Sequence, residues 1–375
     1  EISLRIKDLK QSLYDDGEVI MDKVLVCLHG DEHKKRRKLE NKIFTRDVFQ
    51  KYENIIFPKT INETLEPYNE SGKMDLVDFG FRVLLNLTAD FSGIDRPNKS
   101  KNETETLLRL LKIFASGATL HHSTRDHEEV KGEVRDALKE FDKNFLTPSI
   151  ERRKAIIKQG SGEDLPNDIL TVLLVNDDQL NMPYDVLQRE IAFYLLAGAQ
   201  TSIHSLVHVF HEIHSWLKEN PEREDDIKND PIFVQKCFLE STRLHPSSPV
   251  ALRKPVCPVQ LPGNKNANED DSVVIDLYNS NRDKKVFGSD AEKFNPDRET
   301  PNGHNLYGLS FGLGMHSCIG RNLAAGVNSK SDTDPNNHHY GTVTMIMRKL
   351  ISCNAIPDIN NPPKMDEKTK RPNWG

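Results

Sequence analysis

Cysteine is scarce in this chain: Cys27, Cys237, Cys257, Cys318 and Cys353 are five in 375 residues, scattered and without a C-x-x-C pair. That odd, dispersed set excludes a disulfide framework and a Cys-rich zinc site, and it points to a reducing, cytoplasmic setting. A surplus of positive charge is missing too. At a formal net charge of -6 the chain lacks the basic footprint that duplex binding requires, so no nucleic-acid partner is expected. Long apolar runs are also absent. The longest, IAFYLLAGA at 191–199, falls far short of the roughly 20 residues that span a bilayer, and the opening EISLRIKDLK does not read as a signal peptide. No membrane anchor is expected, and the N-x-S/T triplets that begin at Asn62, Asn69, Asn86, Asn98 and Asn102 are read as chance. No internal repeat is visible.

What is present is globular. Hydrophobic residues make up 36% and charged residues 29%, with mean hydropathy -0.60, enough apolar mass for a sizeable core. Helical periodicity fills most of 70–245. One helix is expected to run from a cap at Asn181, with Pro183 in its first turn, to Pro221, and its apolar middle predicts burial inside a single large domain, residues 1–375. A shorter helix, PIFVQKCFLESTRL, should end before Pro246; SVVIDL reads as a strand. The fold class is therefore mainly α with a small β portion. The polar stretch 328–341 interrupts what would otherwise be a helix after Cys318 and is expected to be a surface insertion.

The stretch FGLGMHSCIG at 311–320 sets one thiol among glycines. A cysteine is a strong ligand or nucleophile only as a thiolate, and amide donors at the start of a helix favour that charge. Gly312 and Gly314 allow a tight loop, and Gly320 removes a side chain where a flat ligand would lie. A buried cysteine beside a glycine turn is the plainer alternative. By composition, however, F-x-x-G-x-x-x-C-x-G should arise about 6 × 10⁻⁴ times in such a chain.

This stretch resembles the haem-binding signature of the haem-thiolate monooxygenases, the cytochrome P-450 family. The resemblance implies haem b as cofactor, Cys318 as its iron ligand, Phe311 beside the sulfur and His316 on a haem propionate, with Gly314 and Gly320 shaping the loop. ESTRLHP resembles the family's E-x-x-R helix, and FNPDR its partner segment, which implies a structural triad of Glu240, Arg243 and Arg298. Arg253 in PVALRKP matches a propionate arginine, and HGDEHKKRRKLE resembles the H-x-x-x-R helix, with His33 and Arg37 on one face. Lys34, Lys35 and Lys38 would then face a ferredoxin or flavodoxin-type electron donor. AGAQTS resembles the oxygen-groove segment, which implies catalytic roles for Gly198, Gln200 and Thr201, but Gln200 stands where the family usually carries an acid and cannot relay protons by ionising. By the same analogy Phe193, Ala197, Val250 and Ala251 line the substrate pocket. His204, His208, His211 and His214 are read as packing or surface residues, as are the pairs His121–His122 and His338–His339.

The function this implies is reductive activation of O2 to hydroxylate or otherwise oxidise a small organic substrate. The alternatives are a peroxide-driven or rearranging haem-thiolate enzyme, a non-catalytic haem-thiolate ligand-binding protein and, more distantly, a cysteine-nucleophile hydrolase. The chain starts close to the H-x-x-x-R helix, so the N-terminal portion of the family fold is expected to be absent from it.

Overall fold

The structure, a computed structural model, describes residues 8–160, 165–301 and 303–362 and the backbone of 364–365 and 372–373. Its helices start where short polar side chains satisfy their free N–H groups. Asp75 accepts from Val77 and Asp78 at the head of Leu76–Ser92, Ser100 and Glu103 form a capping box on Lys101–Ala118, and Asp230 caps Pro231–Leu244. Gly93, at φ 87°, ends the first of these in the left-handed conformation a side chain disfavours.

The long helix is Tyr184–Glu219, 36 residues and so roughly 54 Å. Its expected cap is corrected. Asn181 is left-handed (φ 45°, ψ 49°) and closes the preceding turn Asp177–Leu180, so Pro183 occupies the residue before the first turn. The wide face of this helix lies along Leu76–Ser92, and two glycines let the pair approach closely. A Cβ at Gly198 would lie 2.6 Å from Thr88 Cγ2, and one at Gly80 would strike Ile203 Cδ1. Apolar residues of this pair, such as Phe79, Val83, Leu195 and Leu206, belong to the core shared with the surrounding helices.

The β portion is a three-stranded antiparallel sheet in the order Leu9–Gln11, Val250–Pro255, Val273–Asp276, with Arg253 opposite both Gln11 and Val273. Burial alternates along Val273–Asp276, the period-two pattern of a half-buried strand. A separate hairpin pairs Val259–Leu261 with Lys265–Ala267.

After Cys318 the chain forms only the short helix Arg321–Ala325, leaves at Gly326 (φ 70°) and re-enters at Gly341 (φ 82°) to form Thr342–Ser352. The tip of this excursion is exposed, as a surface insertion should be, but its roots are buried. Gln235, 1% exposed, donates to Ala325 O (2.8 Å) and Val327 O (3.1 Å) and meets His338 Nε2 at 2.8 Å. The Glu53 carboxylate accepts from the N–H groups of Tyr340 and Gly341 and meets His339 Nδ1 at 2.9 Å, while Phe49 stacks on the His339 ring.

Candidate cofactor and active site

The Cys318 loop is shaped by left-handed glycines. Gly312 (φ 66°) and Gly314 (φ 70°) turn the chain so that Cys318 N–H donates to Phe311 O at 2.7 Å and Ser317 N–H to Gly314 O at 3.0 Å. The sulfur has protein mass all around it, yet Cys318 keeps an accessible side. Burial pushes its thiol above the ordinary value; the Gly320 backbone N–H, the Arg37 and Arg321 guanidiniums and the Arg321 N–H pull the other way. Binding a cation at this sulfur must therefore displace a proton.

The helix Gly30–Glu40 packs its His33–Arg37 face on this loop. His33, 1% exposed, places its ring 3.8 Å from the ring of His316, and Arg37 Nη2 donates to Ser317 O at 2.6 Å. Lys34, Lys35 and Lys38 lie outside, exposed. The sequence reading missed His29, which stacks on His316 at 6.2 Å and 7°; its place four residues before His33 was the available signal.

Arg253 extends from the middle strand. Its Nη1 donates to Leu252 O, its buried Nε has no hydrogen-bond partner among the described residues, and burial alone lowers its pKa. A half-buried guanidinium with an unsatisfied Nε and no carboxylate beside it suits an anion. Gly320 faces the same requirement from the steric side: a Cβ added there meets no heavy atom within 4 Å. An accessible Cys318, the half-buried guanidiniums of Arg37 and Arg253, the latter with its Nε unsatisfied, and an open face over Gly320 fit a flat metal-centred ligand with anionic arms.

On the long helix, Phe193, Ala197 and Gln200 are half-buried and Thr201 and His204 exposed, although most of the residues between them are buried. At steps of four, seven, eight and eleven from Phe193 these form one helical flank. Thr201 Oγ1 donates to Ala197 O at 2.7 Å, offering that carbonyl a side-chain donor within a continuous helix. Gly198 turns from this flank to Thr88, so packing accounts for its missing side chain. Val250 and Ala251 are half-buried on the middle strand.

Glu240, Arg243 and Arg298 meet. Glu240 Oε1 and Oε2 accept from Arg243 at 2.6 and 2.7 Å, Arg298 Nε donates to Oε1 at 2.9 Å, and Asn295 N–H adds a fourth bond. A second buried network, with no sequence signal, ties the Gly30–Glu40 helix to the long helix. Arg36 bonds Glu190 and Glu40, Leu25 N–H donates to Glu190, and Tyr194 donates to Glu40. Burial raises the Glu40 carboxyl above its ordinary 4.5. The histidine stripe gathers no metal. His208 stacks on His245, whose Nε2 meets Glu212 at 2.7 Å, and no cluster of three or more His, Cys, Asp or Glu among the described residues is arranged for an ion.

No helix among the described residues is long and apolar enough to cross a membrane. The sequence profile of the family described as Cytochrome P450 matches residues 7–326. Pulcherriminic acid synthase of Bacillus subtilis is 26% identical over 330 residues, 84% of this chain and 74% of that protein. Cytochrome P450 52C1 of Candida tropicalis is 28% identical over 207 residues, but there the chain covers only 40% of the relative's length. Among solved structures, that of the enzyme CYP109B1 from Bacillus subtilis aligns at TM-score 0.69 and 20% identity, covering 95% of this chain and 88% of that one. P450BioI in complex with an acyl carrier protein aligns at 0.71 and 17%, covering 94% and 82%. At such identities these two likenesses speak for the fold.

Proposed function

The chain belongs to the cytochrome P450 family of haem-thiolate monooxygenases, and from that premise we propose that it oxidises a small organic substrate held between the accessible flank of its long helix and its middle strand. The single observation carrying this reading is the accessible Cys318 with the half-buried Arg37 guanidinium beside it on the neighbouring Ser317 carbonyl; neither Arg37 nor the half-buried Arg253 of the middle strand has a carboxylate partner within ion-pair distance among the described residues. Bound there, haem b supplies the reductive activation of O2.

The chain's own residues supply placement and protons. Cys318 would hold the iron as a thiolate, with the Gly320 and Arg321 N–H groups favouring its charge. Arg253 and Arg37 would hold the anionic arms, with His33 and His316 packed against each other on the Arg37 side. Phe193, Ala197, Val250 and Ala251 offer the substrate apolar contact. Thr201 orders water through a hydroxyl that can leave the Ala197 carbonyl. Lys34, Lys35 and Lys38 present the charge on which an acidic ferredoxin or flavodoxin-type donor docks.

Gln200 favours a second reading, peroxide-driven turnover, because the helix carries no ionisable group at that position. Turnover with hydrogen peroxide but none with a reductase and ferredoxin selects it.

The primary test is the absorption spectrum of the reduced, carbon monoxide-bound protein. The parent is expected to give the red-shifted thiolate-type band, and Cys318→Ala to lose it. A band unchanged in Cys318→Ala, or a parent chain that takes up no haem, overturns the assignment.

A further inference from the structure

Asn281 is completely buried, and its polar groups are committed in two directions. Toward the ion cluster, its main-chain carbonyl accepts from Arg243 Nη1 at 2.6 Å and its Nδ2 donates to Arg243 O at 3.0 Å. Toward the cysteine loop, its Oδ1 accepts from Leu309 N–H at 2.7 Å and its Nδ2 donates to Ser310 Oγ at 2.9 Å, whose hydroxyl continues to Thr242 O. The amide orientation is forced, since the Leu309 N–H needs an acceptor and the Arg243 carbonyl a donor. Gly308 makes room for this approach: it is left-handed (φ 59°), and a Cβ there would lie 2.8 Å from Asn281 Cγ. The residue after Ser310 is Phe311, whose carbonyl holds the Cys318 N–H.

We infer that Asn281 is a positioning residue for the Cys318 thiolate, transmitting the fixed geometry of the buried Glu240–Arg243–Arg298 cluster to the loop that presents the sulfur. The inference rests on the haem-thiolate reading above. Asparagine alone supplies a donor and an acceptor at this length. Aspartate keeps the acceptor for Leu309 but turns an oxygen on the Arg243 carbonyl and can no longer donate to Ser310, which would bond it only by withdrawing its hydroxyl from Thr242 O. The ion cluster is then still assembled, while residues 309–311 are free to shift and the sulfur with them.

The test compares haem-loaded parent, Asn281→Asp and Ser310→Ala as full chains, reading the reduced carbon monoxide spectrum and its change with time. Loss of one hydrogen bond of ordinary strength should raise the ratio of the blue-shifted, neutral-thiol band to the thiolate band about fivefold in Asn281→Asp. Ser310→Ala should move it the same way by less, at parental haem content and circular dichroism. A purely structural role would lower haem content or the unfolding midpoint without changing that ratio, and that result overturns the inference. Where Asn281→Asp fails to fold, an unchanged ratio in Ser310→Ala overturns it equally. A parent chain with no thiolate band overturns the family reading as well; parental ratios in both variants overturn the Asn281 assignment alone.

Discussion

Replacing Gly320 by leucine separates the cofactor's requirements from those of the fold. At φ -84° and ψ 7° the position is open to any residue, and an added Cβ meets nothing within 4 Å. In the haem-free chain the change should be nearly neutral. Restricting the unfolded chain contributes about 0.4–1 kcal/mol of stability, and replacing a glycine cap by leucine costs about as much. A flat ligand lying over Gly320 must instead share space with four carbons, and overpacking of that kind costs about 1–3 kcal/mol, a loss in haem affinity of about 5- to 150-fold. The assay is titration of haem into the haem-free protein, followed by absorbance, with urea unfolding midpoints measured alongside. Gly198→Leu is the internal contrast, because its Cβ would lie 2.6 Å from Thr88 Cγ2 and 2.8 Å from Thr88 Oγ1, between two buried helices. It should lower the midpoint with or without haem. Parental haem affinity in Gly320→Leu would refute the placement of the ligand, and destabilisation of its haem-free chain to the level of Gly198→Leu would refute the claim of open space.

Glu240→Gln removes the one carboxylate that Arg243 and Arg298 share and leaves both guanidiniums buried. The expected cost of about 3–5 kcal/mol corresponds to a fall of about 4–6 °C in the unfolding midpoint, while Glu133→Gln in the exposed Arg125 pair should leave it unchanged; equal midpoints in the two variants would discard the argument. The Glu40 carboxyl, raised by burial, binds its proton more tightly in the folded chain than in the unfolded one. Stability should therefore fall as pH climbs from its ordinary 4.5 through the raised folded value, and Glu40→Gln should remove that part of the slope. Denaturant midpoints of parent and variant measured between about pH 5 and 8 should converge or cross; parallel curves would be inconsistent with a Glu40 carboxyl raised on folding.

What the sequence disclosed follows the range over which each interaction acts. The cysteine loop was legible because left-handed turns at Gly312 and Gly314 demand glycine, and the Glu240–Arg243 contact because three residues span one helical face. Arg298 joins that pair from 58 residues away and could be named only through the family resemblance. The Arg36–Glu40–Glu190–Tyr194 network left no trace in the sequence, since its two helices are separated by more than 140 residues and neither contributes a recognisable spacing to the other. Asn181 misled for a local reason. Asparagine suits a cap before a helix and a left-handed stop after one, and the preceding turn claimed it. Gly198 matched the oxygen-groove pattern, while its contact with Thr88 depends on a helix about a hundred residues earlier.

The meeting of Gly326 and Gly341 also bears on how the chain can change. Val327 N–H bonds His339 O at 3.0 Å, and a Cβ on Gly341 would lie 2.6 Å from Ala324 O, so the polypeptide comes back to the spot it departed from. Everything between behaves as a side trip tied off at its neck by Gln235 and Glu53. Because doubling a flexible loop costs only about 0.6 kcal/mol, the exposed tip can lengthen, shorten or carry a grafted peptide while the helices on either side keep their registration. The tip is thus a natural port for a reporter or an affinity handle, placed beyond the cysteine loop and requiring no change to it.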